Sequence, residues 1–283
     1  MDFTTLIDAD TLRTVPASTD LLFVDCRFDL ADPSAGERAH AQAHIPGAVY
    51  AHLDRDLSGP VTAATGRHPL PDPAVFAEIL SRWGIAPSTQ VVAYDASGGV
   101  IAARLWWMLR WLGHARVAVL DGGLAAWCAA GGSLDRSVAA RQPTRFVAEP
   151  ETGAAVSTAE LADLLEAGGC LLVDARSAER FEGRNEPIDP VAGHVPGAVN
   201  FACQANLSAD GRFLGRDALR SAWARLLAGR PAEAIVGMCG SGVTACHNLL
   251  ALEHAGLGRG RLYPGSWSEW IRDPTRPVAR GPA

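Results

Sequence analysis

Two stretches of the chain are near copies of each other, "LLFVDCR" at residues 21–27 and "CLLVDAR" at 170–176. "HIPGAV" at 44–49 recurs as "HVPGAV" at 194–199, and "VLDGGLAAW" at 119–127 has a looser echo in "LYPGSWSEW" at 262–270. The offset is 149 residues from Asp25 to Asp174, 150 from His44 to His194 and 143 from Trp127 to Trp270, so the first half carries the longer middle segment. Matching motifs in the same order mean that one structural plan is used twice. At 283 residues the chain has room for two ordinary domains.

Each copy begins with a capped helix. Ser157 followed by Glu160 is a capping-box pattern ahead of Leu161, Leu164 and Leu165, and Asp8 ahead of Leu12 is its weaker counterpart. Short, continuously apolar runs at 21–24 and 171–173 read as strands buried on both faces. Helices are expected at 74–83 and 217–228, second buried strands at 91–94 and 234–238, and further helices at 101–112 and 243–254. Strands alternating with helices at this spacing imply an α/β fold in which a parallel sheet carries helices on both faces. The stretch at 131–156, rich in glycine, proline and charge but without periodicity, reads as a linker. The expected division is a first domain over 1–135, a linker over 136–155 and a second domain over 156–283, with a cleft between the domains.

Composition removes several function classes. The 25 basic residues against 31 acidic ones leave a net charge of −6, without the basic excess of a nucleic-acid binder. Every basic residue is arginine. The missing lysine excludes a Schiff base with a carbonyl substrate or pyridoxal phosphate, and also a phosphate-loop lysine. Any anion must be held by arginine, backbone N–H groups or a helix end. The N-terminal sequence lacks a secretory pattern and no apolar run approaches membrane-spanning length, so no membrane association and a cytoplasmic location are expected. The cysteines at 26, 128, 170, 203, 239 and 246 are scattered without a C-x-x-C pair, so thiols are expected, with neither disulfide framework nor zinc site.

One cysteine stands apart. "AEAIVGMCGSGVTACHNLLALEHAG" runs from buried strand through a glycine-rich loop to a helix, which puts Cys239 at a strand's C-terminal end, where parallel sheets bind ligands. Gly240 and Gly242 let successive backbone N–H groups turn inward, and this nest beside a helix N-terminus favours negative charge. A reactive, accessible thiolate is expected there. The bland alternative, a small buried hydrophobe beside a glycine turn, is adopted for Cys26, Cys128, Cys170 and Cys203, and Cys246 reads as core. Aligning "VVAYDASGGV" with "IVGMCGSGV" puts Asp95 opposite Cys239, so only the second copy is expected to be catalytic.

Together, "VDCR" and "VDAR", "HIPGA" and "HVPGA", "YDASGGVIAARLWWMLRWLGH", "LDGGLAAW", "CGSGVTA" and "PGSWSEW" resemble the rhodanese superfamily in its tandem two-domain sulfurtransferase form, over nearly the whole chain. The resemblance implies two tandem rhodanese-like domains that move a sulfane sulfur through a persulfide on Cys239, with no cofactor. Members that use thiosulfate typically carry basic residues directly after the cysteine, whereas loops similar to "CGSGVT" mark those that use 3-mercaptopyruvate. Gly240 and Ser241 side with 3-mercaptopyruvate. The implied substrate-binding set is Arg176 and Arg180, four residues apart in "DARSAER", with the loop residues Gly240, Gly242, Val243 and Thr244. Arginine's planar fork suits a carboxylate. Arg176 repeats as Arg27, which leaves a shared structural role open; Arg180 aligns with Ala31. The family further implies a relay on Ser241 from a first-domain histidine and aspartate, matched here by His44 and Asp32, although His44 also repeats, as His194. The implied partners are a small-molecule sulfur donor and a thiol acceptor such as thioredoxin.

Three competing readings remain. A thiosulfate enzyme would use the same Cys239. A cysteine phosphatase would need an arginine six positions after the cysteine, where this chain has Ala245. A persulfide-carrying or regulatory module would bind sulfur without turnover. "HAQAH" at 40–44 has ligand spacing but no third ligand, so local hydrogen bonding is expected rather than metal. "RLWWMLRW" at 104–111 reads as domain core. "GRHPLP" at 66–71, in the longer middle segment, could flank the cleft.

Overall fold

The computed structural model describes residues 2–16, 20–137 and 141–282, which form two compact units. In the first, strands β1 (Leu6–Ile7), β2 (Leu21–Asp25), β3 (Val49–Tyr50), β4 (Gln90–Tyr94) and β5 (Val117–Leu120) make one sheet in the order β1-β5-β4-β2-β3. In the second, β6 (Leu171–Asp174), β7 (Val199–Asn200), β8 (Ile235–Met238) and β9 (Arg261–Leu262) run in the order β7-β6-β8-β9. Every strand pair is parallel. Parallel neighbours need crossovers, and the helices supply them. The common plan survives in the register, since Val24 pairs with Val49 as Val173 pairs with Val199.

The expected elements form for the expected reasons. Ser157 and Glu160 close the capping box on the helix Thr158–Glu166, and Asp8 accepts from Thr11 N at 2.8 Å to cap Ala9–Arg13. The helices Pro73–Arg82, Ala102–Trp111, Arg216–Leu227 and Thr244–His254 fall within a residue or so of their expected bounds. Trp106, Trp107 and Trp111 of the "RLWWMLRW" helix are buried, as its reading as core requires. The second unit's core gathers Leu172, Val236, Met238, Phe181, Val195, Trp267 and Trp270, and burying each such large apolar side chain contributes about 1.5–3 kcal/mol.

The units do not part where composition placed a linker. Residues 141–151 stay with the first unit, through Thr144 N to Ser81 O at 2.9 Å and Glu151 N to Trp111 O at 2.8 Å. Conversely, Pro60–Leu70, from the longer middle segment, belongs to the second unit, and Ala209–Phe213 to the first. The segment is fastened into the second unit by Gly66 N to Glu269 Oε2 (3.3 Å), Arg67 N to Ser268 Oγ (3.0 Å) and Arg272 Nε to Thr65 O (3.2 Å). All six cysteines are free thiols. No helix among the described residues is long and apolar enough to cross a membrane.

Candidate active site

Strand β8 ends at Met238, and Cys239 opens the loop that leads into the helix Thr244–His254. A second helix start holds this loop from outside. Trp267 N and Ser268 N, in the helix Ser266–Trp270, donate to Cys239 O at 3.0 Å and Gly240 O at 2.9 Å. The C=O and N–H of one peptide unit point opposite ways, so the N–H groups of Gly240 and Ser241 face away from that helix. Gly242 completes the turn at φ +76°, and its N–H donates to Cys239 Sγ at 3.1 Å. A side chain at Gly242 would put its Cβ 2.5 Å from Pro264 O, so backbone sign and space both demand glycine. Val243, 4 % exposed, caps the helix that Thr244 begins beyond it.

Ser266 is one of two non-glycine residues with positive φ among the described residues, at +51°. Its hydroxyl accepts from Cys239 N at 3.0 Å and donates to Tyr263 O at 2.9 Å. In the first unit the matching position is Gly123, at φ +56°, with Leu124 N donating to Asp95 O at 3.0 Å. The duplicate therefore keeps the backbone and lacks the hydroxyl. Backbone strain at a non-glycine residue persists where the surroundings over-determine it, and here they do so next to the Cys239 N–H.

Asp95 shows what the loop geometry is suited to hold. Its carboxylate folds back into its own nest, accepting from Ser97 N and Gly99 N on one oxygen (2.8 and 2.9 Å) and from Ile101 N and Ala102 N on the other (2.8 and 2.9 Å). A built-in anion thus fills the first copy of the nest. In the second copy a sulfur stands at that position.

The sulfur is enclosed, which departs from the accessible thiol expected from the sequence: Cys239 is 2 % exposed. The loop wraps it, and neighbouring Cys203 is itself pushed up to about 12, chiefly by burial and then by the proximity of Cys239. Two guanidinium groups lie over Gly240. A Cβ there would be 2.9 Å from Arg67 Nη2 and 3.4 and 3.6 Å from Arg180 Nη2 and Nη1. Arg180 Nε bonds both oxygens of Glu186 at 3.0 Å, and its Nη2 donates to Asp189 Oδ2 at 3.0 Å. Burial alone would raise Glu186, but the bonds from Arg180 and from the N–H groups of Asp189 and Ile188 outweigh it and hold the carboxyl below its usual range.

Of the residues singled out from the sequence, Cys239, Gly240, Ser241, Gly242, Val243, Thr244 and Arg180 come together in the second unit. Three others do not serve as expected. Arg176 is 3 % exposed with its donors committed: Nε and Nη2 grip Asp174 (2.7–3.2 Å), Nη2 also donates to Gly193 O (2.8 Å) and Nη1 to Glu186 (3.3 Å). Its repeat Arg27 likewise grips Asp25 and donates to Ala43 O at 2.7 Å. Arg176 is thus a structural clamp repeated in both units and not a free substrate ligand.

His44 is also structural. Its Nδ1 is 2.7 Å from His40 O and its Nε2 3.1 Å from Ser137 O, while its repeat His194 holds Phe181 O at 2.8 Å through Nδ1. Asp32 is exposed and paired with Arg38 at 2.5 Å. The residue that meets Ser241 is instead His68, whose Nδ1 lies 2.7 Å from Ser241 Oγ with both side chains buried. His68 and Arg67 come from "GRHPLP", whose Gly66–Arg67 pair repeats as Gly211–Arg212, with His68 standing where the second copy has Phe213. Histidine in place of phenylalanine was the available signal, as was "SWSEW" standing where the duplicate reads "GLAAW".

A strand-end thiol in a nest of N–H groups, with a carboxylate at the same place in the repeat, defines a thiol-loop α/β protein. The rhodanese-like domain profile matches residues 8–130 and 157–273, and the chain belongs to this family as two tandem copies. A Pseudomonas aeruginosa protein provisionally named a 3-mercaptopyruvate sulfurtransferase is 52 % identical over 278 residues, covering 98 % of both chains. A Mycobacterium tuberculosis protein provisionally named a thiosulfate sulfurtransferase is 41 % identical, over 97 % of this chain and 96 % of its own. The solved 3-mercaptopyruvate sulfurtransferase from Leishmania major superposes with a TM-score of 0.84 at 32 % identity, covering 94 % of this chain and 74 % of the other.

Proposed function

We propose that this protein is a sulfurtransferase that takes sulfur from 3-mercaptopyruvate and passes it, through a persulfide on Cys239, to a thiol acceptor or to cyanide. The observation that carries this reading is the grouping of one nest-held thiol, two guanidiniums over Gly240 and a Ser241–His68 pair. The 52 % identical relative and the Leishmania major enzyme support the choice of donor. The donor's carboxylate binds at Arg180. The Cys239 thiolate attacks the donor's sulfur, the carbon–sulfur bond breaks, and its electron pair leaves as the enolate of pyruvate. Charge grows on that enolate oxygen, where fixed donors lower the barrier most. Ser241 and His68 form the proton path to the departing carbon.

An acceptor thiolate then attacks the outer sulfur and restores Cys239, so two half-reactions share one covalent intermediate and the kinetics are ping-pong. A small protein thiol such as thioredoxin is the proposed acceptor, acting in a reducing cytoplasm. The mycobacterial relative's name keeps thiosulfate as the second donor to test. Incubation with each donor, followed by pyruvate or sulfite release and intact-protein mass, decides the matter. One added sulfur with pyruvate release is expected from 3-mercaptopyruvate. An unmodified mass with no product from either donor overturns the proposal.

Ser266 provides a finer test. Ser266→Gly keeps the left-handed backbone without strain and removes the hydroxyl from the Cys239 N–H. One lost hydrogen bond of about 1–1.5 kcal/mol next to the nucleophile corresponds to roughly a tenfold fall in kcat/KM. The thermal midpoint should move by only about 2–4 °C, since relief of strain offsets the loss. Unchanged kcat/KM would make Ser266 a purely structural residue.

A further inference from the structure

The two guanidiniums over the cysteine loop are already bridged by a carboxylate of the protein. Arg67 Nη1 donates to Asp189 Oδ1 and Arg180 Nη2 to Asp189 Oδ2, so one carboxylate gives a separate oxygen to each arginine. Asp189's side chain is 2 % exposed, as is that of Glu186, the other partner of Arg180. Arg67, Arg180, Asp189 and Glu186 therefore sum to zero formal charge. Arg67 Nε is buried and has no hydrogen-bond partner among the described residues, so this arginine keeps a donor in reserve. Arg67 and Asp189 also line a cavity of about 340 Å³, with Arg272 at its edge and with Ser268, whose N–H holds Gly240 O.

We infer that Asp189 is a specificity-determining residue, an internal counter-anion that neutralises the Arg67–Arg180 pair and so biases the site toward singly charged donors. This inference rests on the sulfurtransferase reading and deepens it. A 3-mercaptopyruvate donor brings one negative charge and thiosulfate two. The neutral four-residue cluster offers the second charge no uncompensated cation and sets two fixed carboxylates near it. Selectivity is a difference between two affinities, and a built-in repulsive group sets it as effectively as an attractive one. Arg67, from the middle segment that is longer in the first half, supplies the second guanidinium that makes the bridge possible.

The experiment is a comparison of kcat/KM for both donors in the full-length protein and two variants. Asp189→Asn keeps the shape and removes the charge. It is expected to raise the thiosulfate to 3-mercaptopyruvate ratio about tenfold or more, with the gain shrinking as salt screens the exposed arginines. Asp189→Glu should return the ratio toward that of the parent. Arg67→Met removes one cation and leaves the carboxylates in place, so the ratio should fall about tenfold instead. If Asp189→Asn does not fold, the Arg67→Met arm decides. Ratios within twofold of the parent in folded variants that still release pyruvate overturn the role of Asp189 and leave the sulfurtransferase reading standing. A parent that turns over neither donor takes down both.

Discussion

Cys239→Ser is expected to abolish pyruvate release from 3-mercaptopyruvate, by about 10⁴-fold or more, with no sulfur retained on the protein. The hydroxyl fits the same space and can accept from the Gly242 N–H that now meets Sγ at 3.1 Å, so the loop has no reason to rearrange. What is lost is the nucleophile, because a serine hydroxyl is not ionised near neutral pH and forms no persulfide. The other buried thiols provide the control. Cys26 is held well above the ordinary thiol range by burial first and then by the carboxylates of Asp95, Asp25 and Asp56, and Cys203 is raised by burial. Neither is expected to take up sulfur, so Cys26→Ser should leave one sulfur per chain in the mass spectrum. Sulfur retained by Cys239→Ser, or pyruvate released at the parent rate, would move the chemistry to another residue.

The periodic parts of the fold were legible because the repeat and the apolar runs encode them directly. Leu21–Asp25 and Leu171–Asp174 are continuously apolar up to the aspartate, and a parallel strand covered on both faces requires that pattern. The loop nest was legible for a related reason: glycines at 240 and 242 have few uses, and Asp95 in the copy marked which nest was free for a sulfur. Parts of the site made by long-range contacts were not legible. Nothing local to "GRHPLP" says that residues 60–70 join the second unit, 173 residues from Ser241 in the case of His68. His44 drew the relay expectation through the family resemblance, yet its motif stands in both copies, as His44 and His194, and so reports on shared structure. The same argument applies to Arg176, whose repeat Arg27 performs the same clamp.

Arg176→Ala therefore costs folding stability rather than donor binding. In the folded protein Asp174 is fully buried and its carboxylate is neutralised by the Arg176 guanidinium, which also stacks over the Trp267 ring at 4.8 Å. Removing one partner of such a pair leaves a buried charge uncompensated, and the expected cost is about 3–5 kcal/mol. In a domain of this size that lowers the thermal midpoint by roughly 10 °C. Removing both charges in Asp174→Ala/Arg176→Ala should cost less than the sum of the single changes, since no orphaned ion remains. At a temperature where the variant is folded, KM for 3-mercaptopyruvate should stay within about threefold of the parent, because all the donors of Arg176 face inward. Arg180→Ala should behave the opposite way, raising KM about tenfold or more while the midpoint moves less, since its guanidinium stands over Gly240. The two arginines are four residues apart on one short segment, and the pair of measurements separates clamp from ligand. A rise in KM with an unchanged midpoint in Arg176→Ala would reverse the assignment and return Arg176 to the donor.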